Sequence, residues 1–408
     1  MTETPTTFSA LGVADDLCAR LAERKRTEPF PIQAEAIPPA LAGNDVSGKA
    51  PTGSGKTLAF GLPIAQRVGR ARPARPQALV LAPTRELAAQ IETELRPLLA
   101  VRKRSVASFY GGIGFGQQLK ALRRGVDVAV GCPGRVADLV KRGDLVLEEV
   151  GIVVIDEADR MSDMGFLPEV RRLLDRVRPK RQTLLFSATL DGDVDVLVRN
   201  YQRNPIRVEV APPERGEDRT EHRFVQTVRE KRIPLTASLV GKHGSTVVFC
   251  RTKRGVDRVA KQLATAGVST VAIHGDRSQK QREKALAFFQ AGKAMALVAT
   301  DVAARGIHVD DVGCVVHFDI PADAKDYLHR SGRTGRAGAA GVVVAFVMDD
   351  NHAKVRELRK ALGMPVSDGA PSRREERRPS SGPSRGNGRR PGANPRGGRR
   401  RPTKARRG

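Results

Sequence analysis

The stretch APTGSGKT, residues 50–57, is suited to holding phosphate. Gly53 and Gly55 carry no side chain to keep backbone N–H groups away from phosphate oxygens. A helix starting at once after them turns its positive end toward the same anion. Lys56 adds a point charge for the outer phosphates of a nucleoside triphosphate, and Thr57 adds a hydroxyl for Mg²⁺. Pro51, Thr52 and Ser54 complete the loop, with Ala50 where the pattern usually opens on glycine. A second cluster lies at IVVIDEAD, residues 152–159, where four apolar residues run straight into Asp156, Glu157 and Asp159. Carboxylates that crowded repel one another unless a cation holds them. Mg²⁺ keeps most of its waters, so one carboxylate plus phosphates suffices, and that role falls to Asp156. Glu157 is placed to orient or deprotonate an attacking water. Asp159 is expected to pair with a basic group elsewhere.

These groups need rigid carriers. Short apolar runs ending in polar residues recur along the chain, with helical patterns between them. From about 28 to 208 they are ALVLAP (78–83), VDVAVG (126–131), IVVIDE (152–157) and TLLFSAT (183–189). From about 222 to 362 they are TVVFC (246–250), TVAIHG (270–275), ALVATD (296–301), CVVHFD (314–319) and VVVAFV (342–347). Such runs predict parallel sheets covered by helices on both faces, with ligands beyond the carboxyl ends of the strands. DVSGKA, before the phosphate loop, makes a weak strand, because Ser47, Gly48 and Lys49 suit a buried centre poorly. APPERGEDRT (211–220) reads as a linker. The fold class is therefore α/β, two similar domains joined by a hinge. Beyond 366 periodicity ends in Arg, Gly and Pro, with nothing to build a core, and disorder is expected.

A length of 408 residues fits two cores plus extensions, and 40% apolar content can fill them. No apolar run approaches the ~20 residues a bilayer span requires. The first residues lack the basic and apolar regions of a signal peptide. Cysteines 18, 132, 250 and 314 form neither a metal spacing nor a disulfide framework. The reading is a reduced, cytoplasmic protein. Lys plus Arg is 71 against 45 Asp plus Glu, a net charge of +26. Residues 371–408 hold thirteen Arg and one Lys against two Glu, and so carry +12 of that total. A basic body with a more basic tail points to a polyanionic partner bound with salt-sensitive affinity.

With these pieces in order, the chain resembles a DEAD-box RNA helicase of the second helicase superfamily over roughly residues 8 to 348. DEAD itself stands at 156–159. In the family's order come EPFPIQ (28–33), APTGSGKT (50–57), PTRELA (83–88), GG (111–112), PGR (133–135) and SAT (187–189). VVFCRT (247–252), HGDRSQKQR (274–282), TDVAARGI (300–307) and HRSGRTGR (329–336) follow in the second segment. The resemblance implies two tandem RecA-like domains, 1–210 and 221–365, a linker at 211–220 and a basic tail at 366–408. It implies that Gln33 reads adenine, with Phe8 as a supporting aromatic, and that Asp301 and Gly306 lie near the nucleotide. Ser187, Thr189, Asp159 and His329 would couple hydrolysis to closure of the domains. Arg333 and Arg336 would reach across the cleft as arginine fingers onto the γ-phosphate. On the RNA side it implies Pro83, Thr84, Arg85, Gly112, Gly134 and Arg135 from the first domain. Arg251, Gln279, Arg282 and Thr300 are the second-domain counterparts, all reading backbone rather than base sequence.

The chain departs from the family pattern at four positions. Lys25 and Arg26 replace Gly and an adenine-packing residue, and the Arg26 guanidinium could stack in its place. Cys132 replaces a Thr hydroxyl before PGR, and His308 stands where Asp is commoner. The expected function is ATP hydrolysis with Mg²⁺, coupled to local unwinding of RNA duplexes by a monomer without membrane attachment. The alternatives are an ATP-gated RNA clamp or annealing chaperone, and a DNA translocase, which the motifs disfavour. The RNA, the pathway and any protein partners are not legible.

Overall fold

A computed structural model describes residues 7–51, 53–210, 220–304, 309, 312–335 and 341–365. The expected linker apart from Thr220, the tail, Thr52, Gly306, His308 and Arg336 lie outside them.

The first sheet is built from β1 (Val46–Lys49), β2 (Ala78–Leu81), β3 (Val106–Phe109), β4 (Val128–Gly131), β5 (Ile152–Asp156), β6 (Gln182–Ser187) and β7 (Ile206–Glu209). Its order is β3-β4-β2-β5-β6-β1-β7, with parallel pairing throughout. The second sheet uses β8 (Thr220–Gln226), β9 (Thr246–Phe249), β10 (Thr270–Ile273), β11 (Ala296–Ala299), β12 (Cys314–His317) and β13 (Gly341–Val347). It is also parallel, in the order β10-β11-β9-β12-β13-β8. Both belong to one compact unit, Met1–Met364.

Each sheet is buried on both faces, as its unbroken apolar strands require. Ala78 and Val80 face one core and Leu79 and Leu81 the other; Val247 and Phe249 are likewise opposed to Val248 and Cys250. Each fully buried Leu or Val contributes about 1.5–3 kcal/mol, so the strands are held from above and below.

The weak strand before the phosphate loop is in fact internal, between β6 and β7. Its unpromising residues are explained by their neighbours. The buried Ser47 hydroxyl donates to the Gln202 side chain, and a Cβ on Gly48 would stand 2.5 Å from the Phe186 ring. Thr220, expected in the linker, instead opens β8.

Candidate active site

The phosphate loop leaves the carboxyl end of β1 and enters the helix Lys56–Arg67. The acid cluster leaves β5, two strands away, and β6 between them ends in Ser187. Ser187 ties the two together: its carbonyl accepts the Ala50 N–H at 3.0 Å, and its hydroxyl accepts the Asp159 N–H at 3.1 Å. Thr189 lies two residues beyond, half-buried.

Lys56 is buried, and its ammonium donates to the carbonyls of Ala50 at 3.0 Å and Pro51 at 2.7 Å. Gly55 is left-handed at φ +87, and a Cβ there would stand 2.3 Å from the Gln33 amide nitrogen. That close approach has a purpose. Gln33 donates to the Gly55 carbonyl at 2.9 Å and accepts the Phe30 N–H at 2.9 Å, tying the EPFPIQ segment to the phosphate loop. Phe30 stays 55% exposed beside this pair. Phe8, by contrast, is part of the hydrophobic core that includes Ile32 and Phe60.

Asp156 is buried at the end of β5, and burial pushes its carboxyl up to about 7 against the pull of Lys56. Glu157 has positive φ, 55°, and opens the short helix Ala158–Asp163. Burial alone would raise its pKa, but Arg160, Lys56 and Arg333 outweigh burial and hold it below the usual carboxylate range. Arg160 is paired with it, 2.5 Å from the Glu157 carboxylate and itself buried. The basic partner expected for Asp159 is not among the described ion pairs; its carboxylate accepts the Arg160 N–H at 2.9 Å.

The second sheet contributes a facing set. Arg333 is buried and acts on Glu157 electrostatically from across the cleft. His329 lines a small pocket with Arg160, Asp301, Arg330 and Arg333. Burial, then Arg160, lowers the His329 pKa below its ordinary value. Asp301 is clamped by Arg330 through two short bonds, 2.6 and 2.7 Å. Arg330 also donates to the Asp319 carbonyl at 2.7 Å and lies over the Phe249 ring.

Of the candidate RNA residues, Arg85 and Arg282 meet around Glu86, where the two lobes join. Thr84 caps the helix Arg85–Val101 by accepting the Leu87 N–H, and the Arg85 guanidinium lies close over Gly112. Pro83 precedes this cap, buried. Arg135 stacks 4.1 Å from the Phe115 ring centre and donates to the Ile113 carbonyl, while Gly134 stands in open space. Across the cleft, Arg282 is nearly buried and pairs with Glu86 of the first lobe at 3.0 Å. Gln279 is buried and bonded to Glu283, and Thr300 is also buried. Arg251 is exposed, with its backbone N–H on the Asp319 carboxylate. A second link joins the lobes where Lys325 meets Asp163 at 2.9 Å.

Three of the departures from the expected pattern have a structural account. Lys25 takes the left-handed conformation, φ 57°, where the family pattern has Gly. Arg26 does not stand ready to stack on a base; it pairs with Glu94 at 2.6 Å, alongside Arg24. Cys132 caps no N–H, and burial, helped by Glu86, pushes its thiol up to about 12, so it stays neutral.

Sequence reasoning missed Glu86, Arg160 and Arg330, the partners of Arg282, Glu157 and Asp301. For Arg160 a signal existed, since it follows Glu157 by three residues on a helix.

Two parallel-sheet lobes, a phosphate loop and an acid turn answered by basic residues of the second lobe define a two-lobed phosphate-loop protein. Residues 30–197 match the DEAD/DEAH box helicase family and residues 230–338 the helicase conserved C-terminal domain. The chain is 42% identical over 344 residues to DEAD-box ATP-dependent RNA helicase CshA of Geobacillus kaustophilus, covering 84% of this chain and 73% of that one. It is 41% identical over 365 residues to DEAD-box ATP-dependent RNA helicase 30 of Arabidopsis thaliana, covering 87% of this chain but 61% of that longer protein. Its fold matches S. cerevisiae Dbp5 bound to RNA and ADP BeF3 with a TM-score of 0.78 at 30% identity, over 88% of this chain and 94% of that one. The chain belongs to the DEAD-box helicase family.

Proposed function

We propose that this chain is an ATP-dependent RNA helicase that couples ATP hydrolysis to local separation of RNA strands. The reading is carried by one observation: Arg333 and His329 of the second lobe line one pocket with Arg160 of the first, whose guanidinium holds the Glu157 carboxylate at 2.5 Å. A hydrolytic carboxylate under the influence of both lobes makes turnover conditional on their approach.

In this account the triphosphate takes over Lys56 from the carbonyls of Ala50 and Pro51. Gln33 offers its amide to adenine while keeping the phosphate loop in register. Asp156 and Thr57 are the oxygen donors that would hold a divalent cation, a hard pair that suits Mg²⁺ arriving with its nucleotide. Bound there, Mg²⁺ would neutralise phosphate charge. Glu157, fixed by Arg160, orients the attacking water, and Arg333 meets the charge that develops on the γ-phosphate. Arg336 is assigned the same role by the sequence motif alone.

RNA lies along Arg85, Arg135 and Arg282, which offer charge and no base-reading pattern. Stacking and pairing are worth about 1.4 kcal/mol per step, so one closure separates only a few base pairs. The test is strand separation at saturating ATP with duplexes of increasing length: rates should fall steeply with length. Undiminished rates on long duplexes would overturn the local mechanism.

The basic tail, +12 over residues 371–408, favours a second output, ATP-gated clamping or annealing of RNA. Removing residues 366–408 should then abolish annealing while sparing basal ATP turnover.

A further inference from the structure

The second sheet has an open edge at β10, and the fold turns that edge into a slot. The helix Lys253–Thr265 packs on one face of the sheet and the helix Gln279–Gln290 on the other. Both overhang β10, whose Thr270, Val271 and Ala272 form the floor. β10 is last in its sheet, so one row of its N–H and C=O groups points into the slot rather than to a neighbouring strand.

The walls have a definite chemistry. One carries Lys261, the other Lys284 and, one turn further along the same helix, Phe288. Phe288 is 43% exposed, and its ring has Lys293 at 5.6 Å. Among the described residues neither Lys261 nor Lys284 has an ion-pair partner. Asp257, the one carboxylate in the slot, is already taken up by Arg277 at 2.7 Å and His274 at 3.1 Å. The slot is therefore cationic on both sides, with an apolar ring at one end.

We infer that this slot binds a short extended segment of a partner protein, carrying carboxylates on both faces and one apolar side chain. Such a segment adds a strand to β10, and its alternating side chains reach Lys261 on one wall and Lys284 and Phe288 on the other. Charge selects this occupant. A second copy of the slot would set lysines against lysines, which is how edge strands avoid self-pairing. RNA would find the cations but has no run of alternating N–H and C=O groups to extend the sheet along this edge. The slot shares the helix Gln279–Gln290 with Arg282, so a bound segment touches the same element that faces the cleft.

The test uses the full chain and a phage-displayed library of random dodecapeptides. Peptides selected on the native chain should be acidic with an apolar residue. They should bind about tenfold more weakly to the Lys261→Glu, Lys284→Glu double variant by fluorescence anisotropy, the scale of 1.4 kcal/mol. Methylating the backbone nitrogens at the peptide centre should weaken binding comparably, and basal ATP turnover of the double variant should be unchanged. The inference fails if no selected peptide depends on the two lysines, or if binding tolerates N-methylation. It also fails if oligouridine displaces the peptides and the double variant loses RNA affinity, which would make the slot an RNA site.

Discussion

The guanidinium of Arg160 lies 2.5 Å from the carboxylate of Glu157, and both side chains are buried. A buried pair contributes little over an apolar one, but removing one member strands the other's charge. Arg160→Met should therefore lower stability by about 3 kcal/mol, read as a fall in the urea midpoint at unchanged slope. An unchanged midpoint would mean that Glu157 is neutralised by other groups.

Arg282 cannot serve RNA and Glu86 at once. Its pairing with Glu86 at 3.0 Å sets the two in competition. Glu86→Gln should tighten nucleotide-free RNA binding about fivefold, near 1 kcal/mol, in an anisotropy titration. Weaker binding would instead show that the pair shapes the RNA face.

Lys25 holds φ 57° at the end of the helix Asp15–Glu23, where glycine is at ease. Lys25→Gly should stabilise by about 0.5–1 kcal/mol, the left-handed cost less the entropy glycine adds to the unfolded chain. A denaturant titration that shows a loss would place the side chain in a stabilising contact.

His329 carries a lowered pKa, first from burial and then from Arg160. The unfolded chain then binds a proton more readily than the folded one below 6.5, the ordinary histidine value. Its contribution to stability is thus fully present above that pH and is lost as pH falls toward the folded value. His317, also buried and lowered, adds to the same slope. Melting temperatures between pH 7.5 and 5.5 should fall less steeply in His329→Gln than in the native chain. Identical slopes would remove His329 from the account.

How far the sequence reveals this structure depends on how local each feature is. The phosphate loop and the acid turn are local, and their residues stand at strand ends as their spacing implies. The strands that escaped notice, β3, β7 and β8, are all edge strands, short or polar because one side needs no partner. β1 looked too polar for an interior because the Phe186 ring and the Gln202 amide that accommodate it lie far along the chain. The same distance hid Glu86 and Arg330, whose ion pairs exist only once the sheets have formed. Arg26 misled for a related reason: nothing adjacent announces Glu94, 68 residues away.

The central claim is that hydrolysis needs a basic group of the second lobe at the acid cluster of the first. The direct measurement is kcat for ATP hydrolysis by Arg333→Ala at saturating RNA, with nucleotide affinity measured in parallel. ATP binding should stay nearly native while kcat falls about a thousandfold, the lower end of what an arginine finger contributes. A kcat within threefold of the native chain would contradict that claim.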